Sequence, residues 1–533
     1  MSYQWQAAPR APVETIDGAA PMRRCGLAAL RRLAPELILL AVAGAAAVRT
    51  TDPDLWGHIR FGQEMLARRS LLSHDPYSYS ALGHAWRDHE WLTEVVMALG
   101  YEHFGVIGIK LWKLTCSAAV LLLLALGVAE TAAPARLQLA LLAIVAVAMA
   151  PFMQFRPQLF SFVIFAAVLA VFARHNYRGH APLWVVIPLM ALWANLHGGF
   201  LIGIVTLWVY AGVGLVENAI WNRTARFDLL LLAVCGTLAT VVTPYGRDTW
   251  VPVVNALKNP LTRSIIDDWK PPVTLITGVG RPNYGFIFFC LYAFGLIAAL
   301  ALTLGLTRVR GDLPLVAIAL VMAGGAWAAV RNLPLAAIAC AAPVARHAAI
   351  LQQRKQREWD PPTEGVVSSA TRCALAFLVL ALAVGRESLF SKLLPTDSPY
   401  PSGPVEFMRR HGLHGNVLCH FGWGEYLIWH LAPSSKVFID GRYDTVYPLS
   451  VIEDYVKFHY AKPGADRVLY SYPHDFVLIP VDTLPYGLME KSPGWKLVYR
   501  DRDCALFARE GSRAATLPGI PVISSAGSAR YFP

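Results

Sequence analysis

Charge is scarce in this chain. Asp, Glu, Lys and Arg make up 16% of its 533 residues, where soluble globular domains carry roughly 25%. Hydrophobic residues make up 55% and fall in runs of about 16–24, long enough to reach across a hydrocarbon core. That balance excludes a soluble domain and points to a polytopic membrane protein. The eight cysteines form no CxxC pair and no Cys/His ligand spacing, which excludes the common zinc and dithiol motifs. Cys116, Cys235, Cys290, Cys340 and Cys373 lie in apolar runs, where a buried thiol is ordinary. Cys419 and Cys504 lie in a polar C-terminal region and can pair if it faces an oxidising compartment. No cleavable signal is expected, because Arg31-Arg32 leads into an apolar run without a clear cleavage site. No internal repeat is visible.

What is present is a series of apolar segments. Hydropathy predicts about eleven spans, near 33–48, 106–129, 137–153, 157–173, 182–195, 199–217, 228–243, 284–306, 313–330, 334–349 and 371–387. The net charge of +11 sits mainly as arginines in the short loops between them. It therefore speaks for topology rather than for a nucleic-acid partner. With a cytoplasmic N-terminus, every inside segment is basic: Arg23, Arg24, Arg31 and Arg32, then Arg136, Arg174 and Arg178, then Arg223 and Arg226, Arg308 and Arg310, and finally Arg346, Arg354, Lys355, Arg357 and Arg372. The positive-inside rule selects that orientation. Three large segments then lie outside: 49–105, 244–283 and 388–533. In the last, GNVLCHF, KVFID, DFVLIP, WKLVYRD and CALFAR read as strands, while GPVEFMRRHG and SVIEDYVKFHY read as helices. Their alternation predicts a small α/β domain.

The first outside segment carries the densest chemistry. In TTDPDLWGHIRFGQEML, Asp54 and His58 are spaced i, i+4 and share a helix face. Asp52 can instead cap the helix. An Asp75-Pro76 turn follows. A second amphipathic helix starts at Asp88, with His89, Glu90 and Glu94 opposite Trp91, Leu92, Val95 and Val96. His89-Glu90 does not open an HExxH zinc site, because residue 93 is Thr93.

This order resembles the first periplasmic loop of the GT-C superfamily of membrane glycosyltransferases: an outside Asp after the first span, a helix ending GQEML, a DP turn, a second helix, then FG before the next span. The bacterial enzymes related to protein O-mannosyltransferases and lipid A aminoarabinose transferases are the nearest type. The resemblance implies an acidic pair after the first span, two juxtamembrane helices and a lipid-phosphate sugar donor. Counted back from Met65-Leu66, Asp54 falls on the family's catalytic Asp. The second acid of that pair is here Leu55, a departure that leaves Asp52, or Asp88 or Glu90, to supply it.

Other polar groups fall at the same outer depth. Arg156 ends span three, Asn195 and His197 stand in a tight turn, Tyr245 ends span seven, Asp267, Asp268 and Lys270 follow, and Arg331 lies between spans nine and ten. Headgroups and snorkelling account for many charges there. Arg156 and Arg331 run against the positive-inside bias, which suggests a phosphate partner. In the C-terminal region, Gly422-Trp423-Gly424-Glu425-Tyr426 resembles the WWDYG motif of oligosaccharyltransferases. His420, Trp423, Glu425, Asp440, Arg442 and Asp444 line an acceptor groove on one reading and form a helix start plus an Asp–Arg turn on the other.

The expected fold is an α-helical polytopic membrane protein of about eleven transmembrane helices, GT-C-like, with a small C-terminal periplasmic α/β domain. The expected divisions are 1–32, cytoplasmic; 33–387, the transmembrane domain, including the loop 49–105; 388–510, the periplasmic domain; and 511–533, a disordered tail. A bacterial inner-membrane location follows. The expected activity moves a sugar from a polyprenyl-phosphate donor to a glycan, lipid or protein acceptor. Asp54 is the expected base on an acceptor hydroxyl that attacks the anomeric carbon with inversion. Asp52 and His58 stand beside it, and Asp88, His89 and Glu90 support it. Arg156, His197, Lys270 and Arg331 bind the lipid phosphate. A divalent metal stays open, with His58 and His89 able to help hold it. The rivals are a transporter or flippase for a lipid-linked glycan and a non-catalytic scaffold; the lack of mid-membrane ionisable residues and of two similar halves weighs against transport.

Overall fold

The computed structural model describes residues 50–220, 226–259, 266–277, 284–307, 311–356, 394–395, 400–517 and 532. Its elements are α1 (Leu55–Arg68), α2 (Trp91–Ala129), α3 (Ala135–Met149), α4 (Gln158–Arg178), α5 (Val186–Leu196), α6 (Phe200–Ile220), α7 (Phe227–Ala239), α8 (Tyr284–Thr307), α9 (Leu313–Ala328) and α10 (Leu333–Gln356). Six helices are long and apolar enough to cross a membrane, and those at 183–196, 227–239 and 313–328 are apolar but shorter. The chain is a multi-pass membrane protein. A helix falls on each of the nine central spans that hydropathy predicts. The first and last predicted spans, 33–48 and 371–387, lie outside the described residues.

Two helices predicted separately around Phe104-Gly105 form one element broken at Gly105, whose φ of 57° and ψ of −143° are not helical. A side chain is strained at such an angle. The bend brings Gly100 and Gly108 together: a Cβ on Gly108 would sit 1.9 Å from the Gly100 carbonyl oxygen. Residues 91–104 can therefore run at an angle to the span that follows.

From α2 onward the connections alternate between the two ends of the bundle. At one end, Trp91 Nε1 donates to Asn195 Oδ1 at 3.1 Å and Asn195 Nδ2 donates to the Val242 carbonyl at 2.8 Å. At the other, Arg178 Nε donates to Glu130 Oε2 at 2.8 Å and Tyr177 Oη donates to Asp312 Oδ2 at 3.1 Å. Between the ends, Phe162, Phe165, Phe172 and Trp193 form a buried core with the small residues of α10, Ala336, Ala337 and Ala341.

The C-terminal body contains α11 (Ser402–Arg410), β1 (Asn416–Cys419), α12 (Gly424–Leu431), β2 (Lys436–Val437), α13 (Leu449–His459), β3 (Phe476–Pro480), β4 (Trp495–Arg500) and β5 (Cys504–Arg509). The sheet order is β2-β1-β3-β5-β4. β1 is parallel to β2 and β3, and β5 runs antiparallel between β3 and β4. Strands form on all five stretches predicted from sequence. Cys419 and Cys504 are unpaired. They lie on β1 and β5 with β3 between, about two strand spacings apart, beyond the reach of a disulfide.

This body is not separate from the first loop. Leu55, Trp56, Phe61, Tyr77 and Trp86 share one buried core with Val417, Trp423, Phe438 and Phe507. The loop adds to the sheet edge: Val437 N donates to the Tyr77 carbonyl at 3.1 Å and Tyr79 N donates to the Val437 carbonyl at 3.2 Å. Arg442 rivets the two parts. It donates to Asp75 Oδ1 at 2.7 Å and to both Asp440 oxygens at 2.9 and 2.6 Å, with Phe61, Tyr77 and Trp86 around its guanidinium. The Asp–Arg turn read from sequence is thus a structural pair. Of the tail 511–533 only residues 511–517 and 532 are described. Residues 513–516 form a helical turn, and Phe532 is buried against Trp56, Tyr101 and Trp429; aromatic burial holds it despite the polar composition around it.

Candidate active site

The start of α1, the loop 88–90, the turn at 153–157, the turn at 197–199, the segment 267–270 and residues 330–332 meet at one end of the bundle, with α12 of the C-terminal body against them. Most of the polar groups singled out in the sequence meet there.

Asp52 is 1% exposed. Its Oδ1 accepts the Asp54 amide at 3.0 Å and its Oδ2 pairs with Arg156 Nε. It caps the amide ahead of the helix rather than those of the first turn, and Arg156 is its ion-pair partner. Asp54 stands at the N-cap position of α1 but makes no side-chain cap bond. Burial, then the Asp52 charge, push its carboxyl up to about 8, against the opposing pull of Arg156. A carboxyl so placed changes protonation near neutral pH, as a general base requires.

His58 does not turn to Asp54. Its Nδ1 lies 3.0 Å from Glu94 Oε1, both side chains buried. Burial, with Arg156 and His89 nearby, lowers its pKa to about 3, so the ring is neutral, and burial raises the facing Glu94 carboxyl well above its ordinary range. His58 therefore ties α1 to the second loop helix.

Asp88 Oδ1 accepts the Glu90 amide at 3.0 Å, and burial raises its carboxyl. His89 packs on Gly198, and burial lowers it to about 4. Glu90 is pushed to about 8 by burial, then by the Asp88 and Asp54 charges, with Arg331 and Arg156 opposing. Glu90 Oε1 lies 3.5 Å from His197 Nε2 and 3.7 Å from His89 Nε2. His197 is held in one tautomer. Its Nδ1 accepts the Gly199 amide at 2.9 Å and faces the Ser161 hydroxyl at 2.7 Å. The ring proton therefore sits on Nε2 and points at Glu90. Burial lowers His197 well below its ordinary range, so it serves the site as a neutral donor rather than a cation.

The expected phosphate-binding cations differ in how far they are committed. Arg156 reaches Asp52 and also donates to Asp268 Oδ2 at 2.5 Å. Lys270 pairs with Asp267 at 2.6 Å, and its carbonyl accepts the Val330 amide at 3.0 Å. That backbone bond sets Trp269 under Arg331, whose guanidinium lies 4.4 Å from the ring centroid. Among the described residues no carboxylate lies within ion-pair distance of Arg331. Its charge is the least neutralised of the three.

Three residues that the sequence analysis names take part in the site in roles not read there. Asp268 is needed to bridge Arg156, Glu94 to hold His58, and Glu425 comes from α12 at the C-terminal body. Glu425 is 3% exposed and lies against Gly57 and Gly441. Its GWGEY setting and the glycine one turn after Asp54 were the available signals; only the tertiary fold joins them. Among the described residues no group of three or more His, Cys, Asp or Glu side chains is arranged to hold a metal ion. His58 Nδ1 is engaged with Glu94, whereas His89 Nδ1 is buried without a hydrogen-bond partner among the described residues.

By sequence the chain matches no family model and no curated protein. By structure it resembles the Archaeoglobus fulgidus oligosaccharyltransferase tethered with an acceptor peptide, with a TM-score of 0.54 and 12% identity over 86% of this chain and 70% of that one. The same archaeal enzyme, AglB, in complex with an inhibitory peptide and a dolichol-phosphate matches with a TM-score of 0.52 and 12% identity over 84% of this chain and 69% of that one. The fold is GT-C-like. ArnT from Cupriavidus metallidurans bound to undecaprenyl phosphate aligns over 92% of this chain and 99% of that one, with a TM-score of 0.47 and 13% identity. At these identities the GT-C-like architecture is what the comparisons carry, and the chemistry rests on the residues above.

Proposed function

We propose that this chain is a membrane glycosyltransferase that moves a sugar from a polyprenyl-phosphate donor to an acceptor hydroxyl at the outer face of a bacterial inner membrane. The observation that carries the proposal is the meeting of Asp54, a carboxyl pushed to about 8, with the cations Arg156 and Arg331 at one end of the bundle. A base and an anion-binding pair at one membrane depth suit a lipid phosphate on one side and a polar acceptor on the other. The archaeal enzyme of like fold was seen with an acceptor peptide and with dolichol-phosphate, ligands of the same two kinds. Orientation is supported by the opposite end, where Arg136, Arg174, Arg178 and Arg226 cluster.

In the proposed reaction the acceptor hydroxyl loses its proton to Asp54 as its oxygen bonds to the anomeric carbon. The bond from that carbon to the phosphate oxygen breaks, and its electron pair leaves with the lipid phosphate. Attack opposite the leaving group inverts the anomeric centre. Arg331, cushioned on Trp269, takes up the phosphate charge with Arg156 behind it. Glu90, kept protonated at neutral pH, and the His197 Nε2–H offer neutral donors to the same oxygens. Asp52 holds Arg156 and the Asp54 backbone in place.

The test is transfer from a panel of polyprenyl-phosphate sugars in proteoliposomes of the full chain. Asp54→Asn abolishes transfer at unchanged expression, and Arg331→Gln raises the donor KM with a smaller change in kcat. Full transfer by a well-folded Asp54→Asn protein removes the base assignment. Donor passage across the bilayer without transfer supports the transport reading instead.

A further inference from the structure

We propose that Glu425, supplied by the C-terminal body, is the second carboxyl of the Asp54 site and that the two groups hold one proton between them across Gly441. Its catalytic consequence rests on the glycosyltransferase reading; the pairing itself rests on geometry.

Two glycines make the space. A Cβ on Gly57 would lie 1.9 Å from Glu425 Oε2 and 2.2 Å from its carboxyl carbon. Only a glycine in the first turn of α1 lets α12 bring this side chain so close to the helix start. On the other side, a Cβ on Gly441 would lie 2.3 Å from Asp54 Oδ1 and 2.7 Å from Glu425 Oε1. One oxygen of each carboxyl therefore borders the space that a Gly441 side chain would occupy, over a backbone that carries none.

The charges around the pair explain why it keeps a proton. Glu425 Oε2 is buried without a hydrogen-bond partner. Asp52, Asp440 and Glu94 face the pair as further acids, and Arg442 is the nearby cation on the C-terminal side. Arg442 is already bonded to Asp75 and Asp440. On the Asp54 side Arg156 answers Asp52 and Asp268 first, and Glu90 adds another acid. Two ionised carboxyls cannot share so dry a place, so one stays protonated. Burial and the Asp54 charge, in that order, raise Glu425 well above the carboxylate range. Asp54 then gives up its proton first and Glu425 retains its own. During transfer the pair goes from one proton to two as it takes the acceptor's, and it returns one to water afterwards. The C-terminal body thus acts on the base directly, as a positioning element for proton transfer.

The experiment is infrared difference titration of the full chain in detergent, from about pH 5 to pH 10, on the parent and on Glu425→Gln, Asp54→Asn and Gly441→Ala. In the parent a protonated carboxyl band persists above the Asp54 step, and Glu425→Gln removes it. In Asp54→Asn the Glu425 step falls by at least one pH unit, a tenfold loss in proton affinity. Gly441→Ala keeps both acids but wedges them apart, and the step falls in the same direction. A Glu425 step unmoved by both variants, or a persistent band that survives Glu425→Gln, overturns the pairing. In parallel, Glu425→Gln lowers kcat for transfer at least tenfold with an unchanged donor KM. If the parent transfers no sugar, the glycosyltransferase reading fails while the titration still decides the pairing.

Discussion

Replacing Arg442 with methionine is expected to loosen the first loop from the C-terminal body. The guanidinium is 4% exposed and its two carboxylate partners are fully buried. Removing one partner of such a pair costs roughly 3–5 kcal/mol, because the remaining charge is left bare. Here the stranded acids keep other bonds. Asp75 still accepts the Tyr77 and Ser78 amides, and Asp440 still accepts the amide of residue 442 and the Tyr447 hydroxyl. The expected loss therefore lies at the lower end, about 3 kcal/mol. Methionine gives up the cation–π contact with three rings but refills the space beside them. The assay is denaturant unfolding of the detergent-solubilised chain, followed by tryptophan fluorescence; Trp56, Trp86 and Trp423 are buried in the shared core. A cycle with Asp75→Asn isolates the contact, with a coupling of at least about 1 kcal/mol expected. If the two single losses add within about 0.5 kcal/mol, Arg442 is not the rivet.

Three further outcomes follow from the same contacts. Gly62→Ala places a Cβ 2.1 Å from the Glu94 backbone oxygen, whereas Gly57→Ala meets the movable Glu425 side chain; the first lowers stability by about 2–3 kcal/mol and the second by less, and equal losses in thermal unfolding would count against the packing of α1 on α2. Asp54 keeps its proton to about 8 when folded and to 3.8 otherwise, so between those pH values folding takes up a proton and stability falls as pH rises. Asp54→Asn is therefore more stable than the parent at about pH 9, by on the order of 2 kcal/mol after discounting for partial exposure, and equal to it near pH 4; a difference independent of pH refutes the shift. Transfer by the parent rises with pH through about 8 as Asp54 ionises; a rate already flat from about pH 6 upward shows that another group is the base.

How much of this was legible beforehand varies from residue to residue. The strand over Phe476–Pro480 and the helix over Leu449–His459 were readable because apolar period and turn residues are local signals. Asp54 stood out because an acid followed by a histidine one turn later is unusual beside a membrane. Its relation to His58 was misread, since a shared helix face says nothing of the opposite wall, and there Glu94 competes for the ring. Glu425 lies 371 positions after Asp54 in the chain, and no local pattern joins them.

The sequence by itself determined that the chain crosses a membrane, which way the basic loops bias it, on which stretches the C-terminal α/β body forms its strands, and which polar groups share a depth. Those properties follow from hydropathy, charge and periodicity, all read within a few turns of chain. Only the tertiary structure decided that the first loop and the C-terminal body share one core, that Arg156 is spent on Asp52 and Asp268 while Arg331 is not, and that Glu425 meets Asp54 across Gly441. Those are matters of which surfaces pack together. Packing depends on glycines that leave room and on buried charges that must find partners wherever the fold brings them.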